Sequence, residues 1–121
     1  MQDKSKIIDE LFTSFSDIRY VAKYTDNDLV YKQKQQTSDS SSSDTDKYEE
    51  LLVNPTLLTA ARQRGNIDCG GLRFLIIGYG NFYQLIKEIK NGHISICLAK
   101  GVDLTSMPEN IFTFLKSKYF E

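Results

Sequence analysis

At 121 residues the chain is long enough for one domain and too short for two independent cores. With 40% apolar residues, 26% charged residues and a formal net charge of -1, nothing global draws it to nucleic acid or an anionic membrane. Its two cysteines, Cys69 and Cys97, are too few for a secreted disulfide framework, and the polar start Met1-Gln2-Asp3-Lys4-Ser5-Lys6 leads into no signal-like apolar stretch, so a cytoplasmic protein with reduced thiols is expected.

Over 4–17 the apolar residues Ile7, Ile8, Leu11, Phe12 and Phe15 fall on one stripe of an amphipathic helix. Residues 18–25 then alternate, with Ile18, Tyr20, Ala22 and Tyr24 on one side and Arg19, Val21 and Lys23 on the other, which is strand period. Asp26-Asn27-Asp28 supplies turn chemistry and Leu29-Val30-Tyr31 begins a returning strand, so a hairpin is expected.

Residues 35–46 hold five Ser and three Asp with nothing to bury. Such a stretch cannot offset its ordering entropy and is expected to be a mobile connection, with phosphorylation as its functional alternative. Helical spacing resumes at Lys47. Tyr48, Leu51, Leu52, Pro55 and Leu58 share one face, and Val53, Leu57 and Ala60 lie nearly opposite. Asn54-Pro55 suits a helix start, so the helix is expected to restart there, and Gly65 is expected to stop it. Glu49 and Glu50 suit the positive end of the helix dipole, Arg62 and Arg64 the negative end. A helix with apolar residues on two faces needs a cover on both.

Asn66-Ile67-Asp68-Cys69-Gly70-Gly71 reads as a loop. Residues 72–79 are apolar on both faces, as a strand covered on both sides would be, and are far too few to span a bilayer. Gly80-Asn81 turns the chain into a strand over 82–90. Asn91-Gly92 predicts a type I′ hairpin turn, and 93–99 returns with Ile94, Ile96 and Leu98 on one side and Ser95, Cys97 and Ala99 on the other. Ser106 and Glu109 have capping-box spacing, and Ile111, Phe112, Leu115 and Tyr119 form the stripe of a closing helix.

No residue pattern demands catalysis. Cys69, Cys97, Asp68 and the single His93 lack the close ligand pair that zinc sites favour, so no metal or cofactor is expected. His93 beside a hairpin turn reads as a surface residue, Cys97 as a small core residue, and Glu88 between Lys87 and Lys90 as part of a solvated face. His93 and Cys97 lie four apart on one strand, too far for a nucleophile pair. Gly78-Tyr79-Gly80 matches only the start of a dinucleotide fingerprint and precedes a strand where a helix is required. Basic residues are dispersed, so no nucleic-acid surface is expected.

The αββαβββα order predicts an α+β fold: a single domain over 1–121 with a five-stranded antiparallel sheet and helices on both faces. This order resembles the roadblock/dynein-light-chain family of longin- and profilin-like folds. The similarity is carried by Leu57-Leu58-Thr59-Ala60-Ala61, the strand over 72–79 and the hairpin over 84–96. The resemblance implies a homodimer in which the middle helices of two subunits pack together and the following strands pair. Those positions are Val53, Leu57, Ala60 and Arg64 on the helix and Leu72, Phe74, Leu75 and Ile77 on the strand. It also implies a non-enzymatic scaffold or regulator whose partner is a small Ras-like GTPase or a signalling or motility complex. Pro55, the Ser/Asp stretch and the 66–71 segment depart from the family pattern. The alternative is a small-molecule-sensing domain with a pocket between sheet and helix, lined by Phe74 and Tyr83.

Overall fold

The computed structural model describes residues 6–34 and 47–118. The Ser/Asp-rich stretch and Tyr119 therefore lie outside the described residues. The elements are α1 (Lys6–Ser14), β1 (Ile18–Thr25), β2 (Asp28–Gln33), a π-helical turn (Glu49–Val53), α2 (Asn54–Asp68), β3 (Leu75–Gly78), β4 (Tyr83–Ile89), β5 (Gly92–Leu98) and α3 (Met107–Lys118). Every strand pairing is antiparallel, in the order β2-β1-β5-β4-β3, so the expected α+β architecture is present.

Two layers of side chains leave the sheet. On one face Ile7, Ile8 and Leu11 of α1 and Ile111 and Leu115 of α3 pack with Val21, Leu85, Ile94, Ile96 and Leu98 into the principal core. The helical stripes read at both chain ends are thus the buried ones. α2 covers the other face, where Tyr20, Ala22 and Cys97 form a smaller cluster.

Ile18 breaks the expected alternation. The β1–β5 register shifts between Ile18 and Tyr20, so one extra residue, Arg19, lies between positions that oppose the adjacent Leu98 and Cys97 on β5. That bulge turns Ile18 into the principal core with Val21, away from Tyr20 and Ala22.

Both hairpins follow from local backbone preference. Asp26 and Asn27 have φ of 52° and 65°, the left-handed values that a type I′ turn requires. The second turn is one residue earlier than expected. Ile89 pairs with Gly92, leaving Lys90-Asn91 as the loop, and of these only Asn91 has positive φ. Gly92 belongs to β5 instead, crowded against Tyr24 of β1.

The middle helix restarts at Asn54-Pro55 without breaking. The Asn54 amide donates to the Glu49 carbonyl, closing a wide i→i+5 turn just before Pro55, which has no N–H for an α-helical bond. Asn54 is buried and caps nothing; the residue before α2, Val53, is itself helical. Nor does the helix stop at Gly65. It runs to Asp68, and Asn66, Ile67 and Asp68 are helical. The amides of Cys69 and Gly71 both donate to the Gly65 carbonyl, and Gly70, at φ 82°, makes the left-handed exit. Gly65 is glycine for contact: a Cβ there would stand 3.2 Å from Gly71 C and 3.3 Å from Leu72 N.

The capping box before α3 is replaced by an aspartate cap. Asp103 Oδ1 accepts from the Thr105 amide and hydroxyl, and Ser106 Oγ donates to Asp103 Oδ2. Glu109 turns away to pair with Arg73. β3 also departs from expectation. It has four residues, lies at the sheet edge, and alternates between half-buried and exposed positions. α2 packs against β4, and among the described residues no strand neighbours the outer edge of β3.

Candidate functional site: a polar seam and an apolar face on the middle helix

The inward side of the middle helix keeps Leu58 of the apolar stripe but is polar at its start, where Glu50 and not Leu51 or Leu52 turns in. Glu50, Asn54, Leu58 and Gly65 are its buried residues. Glu50 is wholly buried and accepts hydrogen bonds from three elements. His93 Nε2 on β5 donates to Oε1 at 2.8 Å, Asn54 Nδ2 on α2 donates to Oε1 at 3.0 Å, and the Tyr20 hydroxyl on β1 reaches Oε2 at 3.5 Å. Burying a carboxylate is unfavourable unless such donors replace its water, and their convergence is the physical reason this one is tolerated.

His93 is therefore not a surface residue. Its position on β5 points it inward with Ser95 and Cys97, and the Tyr24 ring lies 5.9 Å from its own. In the next row the Gln84 amide donates to Ser95 Oγ at 2.6 Å. Glu88, expected on a solvated face, is half-buried and paired with Arg62 of α2. Cys97 is buried, as expected. Two buried acceptors, Asn54 Oδ1 and Gln84 Oε1, have no partner among the described residues.

The opposite side of this helix is apolar and open. Tyr48 is 61% exposed, Leu51 49%, Leu52 51% and Leu57 40%. Of the expected self-pairing residues, Val53, Leu57, Ala60 and Arg64 do form one outward stripe at spacings of four, three and four. Val53 is half-buried, Leu57 and Ala60 are exposed, and Arg64 is exposed and paired with Asp68. On β3, Leu75 and Ile77 oppose Ile86 and Gln84, so they share the sheet face that α2 covers. Leu72 precedes the strand and is half-buried. Phe74 points to the other face and stacks on Phe112, 5.6 Å between ring centres, so it belongs to the principal core.

Tyr48, Leu51, Leu52 and Tyr79 extend this face; the sequence pattern put the first three on one helical stripe, but none was among the expected self-pairing positions. The Tyr79 hydroxyl donates to Glu49 Oε2 at 3.4 Å and joins the end of β3 to the π-turn. Burial pushes the Tyr79 phenol above its ordinary range, and the nearby Glu49 charge adds to the shift. Helical spacing groups Leu51 and Leu52 with Tyr48, but only the inward turn of Glu50 shows that they face out.

Cys69 and His93 are not brought together for chemistry. Cys69 is exposed at the end of α2 with its thiol on Asp68 Oδ1, and His93 is committed to Glu50. Arg64, then Cys69, hold the Asp68 carboxyl below the usual aspartate range. Among the described residues no three His, Cys, Asp or Glu side chains are grouped to hold a metal. A groove of about 640 Å³ lies between the β4–β5 hairpin and α3, with Ile89, Ile94, Phe112 and Leu115 as its apolar walls and Lys90 and Lys116 beside them. Phe74 and Tyr83 do not line it. Among the described residues no helix is long and apolar enough to cross a membrane. No protein-family model matches the chain, and no curated protein matches it as a relative.

Proposed function

We propose that the chain is a non-catalytic, homodimeric binding module of roadblock-like type that works in the cytoplasm as a scaffold or regulator. The observation that supports this most is the exposed apolar face of the middle helix beside the edge of β3, which no described strand pairs. A bare edge strand of Leu75, Ile76, Ile77 and Gly78 carries no charge or proline to discourage pairing. A second copy related by a two-fold axis would cover both features at once, strand against strand and helix against helix. The partner class that the family resemblance suggests is a small Ras-like GTPase. Sedimentation at micromolar concentration tests the self-pairing, with a dimer expected. A strict monomer across the accessible range would overturn it.

The groove against α3 favours a second reading, a small-molecule-sensing domain, because its volume lies within the range of ligand pockets. A set of small apolar anions screened by thermal shift separates the two. Stabilisation abolished by Phe112→Asp would favour the sensor.

A further inference from the structure

The start of the middle helix has two competing ways to face the sheet. Leu51 lies seven positions before the buried Leu58 and three before the buried Asn54, so plain α-helical spacing would set it on the inward stripe. Apolar burial favours that register, and the carboxylate of Glu50 opposes its own burial. By the same spacing Glu50, four before Asn54 and eight before Leu58, also reaches the inward stripe. In the structure Glu50 is inside, and Leu51 and Leu52 stand about half exposed. Two features accompany this choice. The wide turn over Glu49–Val53 rotates Leu51 off the inward line. The donors His93, Asn54 and Tyr20, from three different elements, converge on Glu50.

We propose that the Glu50–His93–Asn54–Tyr20 cluster is a latch that holds the π-turn in this register, so that a single subunit already presents Leu51 and Leu52 as part of a preformed docking face. The inference rests on the reading of that face as a docking surface, but its geometry is measurable without any partner. The groups facing Glu50 are His93 from β5, Tyr20 from β1 and Asn54 from α2; Tyr24 backs the His93 ring. Releasing the carboxylate from them frees the segment to rotate Leu51 inward. Self-association then weakens because the face has withdrawn, with every residue of the face unchanged.

The test places a reporter thiol at Leu51→Cys in a Cys69→Ser background, leaving Cys97 buried. Maleimide labelling is followed at nanomolar concentration, below any association. Fast labelling of the reporter is expected in the otherwise unaltered chain, with Cys97 protected. Glu50→Met should slow the reporter at least tenfold. Glu50→Gln, which keeps a carbonyl acceptor for His93, should leave it fast. Faster labelling at both thiols would mark global unfolding of Glu50→Met, and the decision then passes to His93→Phe, which removes one donor only and should slow the reporter severalfold. An unchanged reporter rate in Glu50→Met, or in His93→Phe where Glu50→Met unfolds, overturns the latch. Sedimentation without the reporter should show at least a tenfold weaker dimer for Glu50→Met, or for His93→Phe in its place, and an unweakened one for Glu50→Gln. A monomeric parent protein would overturn the docking reading while the labelling result still judges the latch.

Discussion

Gly92 shows how one residue can be fixed by a neighbour remote in sequence. A Cβ built there would stand 1.7 Å from the Tyr24 carbonyl oxygen and 2.8 Å from its carbon, both backbone atoms of β1. Neither can rotate aside as a side chain would. Gly92→Ala must therefore separate β5 from β1, and a loss of about 1–3 kcal/mol is expected from overpacking of this kind, read as a lower urea midpoint. Asp103 makes a different prediction. Hydrogen bonds from the Thr105 hydroxyl, then the Thr105 amide and the Ser106 hydroxyl, hold its carboxyl below the usual aspartate range. A depressed carboxyl stabilises the fold above its unfolded titration range, and that contribution fades as pH falls through its folded value. Acidification should therefore release the Thr105 amide and fray the start of α3. Amide exchange at Thr105 and Met107 checks this, and Asp103→Asn should remove the acid dependence at those sites.

At the scale of elements, the middle helix departs furthest from its sequence pattern, and each departure has a contact behind it. Gly65 has the look of a helix stop, yet the helix passes through it because the chain at Gly71 and Leu72 folds back against its Cα. Helix propensity alone would reward Gly65→Ala by about 1 kcal/mol. Contacts of 3.2 and 3.3 Å with rigid backbone oppose that gain, and overpacking of about 1–3 kcal/mol outweighs it. Gly65→Ala should thus lower the thermal midpoint; a rise would show that the 71–72 segment yields freely. The stripe assignment failed for a related reason. Hydrophobic periodicity assumes an unbroken turn of 3.6 residues and an apolar sheet beneath. Here Pro55 follows a wider turn, and β4 and β5 offer Gln84, Glu88, His93 and Ser95 to the helix. Polar inward residues on a helix match a polar sheet face, and no single-helix pattern contains the face of its partner.

For the whole molecule the asymmetry between the two sheet faces matters most. α1 and α3 seal one face with aliphatic side chains, whereas the middle helix covers the other through a polar seam, burying Leu58 and leaving Leu51, Leu52 and Leu57 outward. An apolar stripe that gains nothing within the subunit is available for association. Leu52→Asp combined with Leu57→Asp should therefore abolish the proposed dimer. Both side chains are already about half in water, so subunit stability should change by no more than about 0.5 kcal/mol. Sedimentation and urea unfolding of the same double variant check the two halves of that expectation. A loss of stability that matches the loss of association would place these leucines in the fold instead.

The sequence by itself determined the order of elements, both hairpins, the buried stripes of α1 and α3, and the strand alternation of Ile94, Ile96 and Leu98. These depend on interactions within a few residues and on a period that one chain segment carries alone. Only the tertiary structure decided the bulge that turns Ile18, the edge position of β3, and the inward turn of Glu50 onto His93. Those follow from which strand lies beside which and from donors 30 and 43 positions away in the chain. A buried carboxylate cannot be recognised until the groups that replace its water have been brought to it.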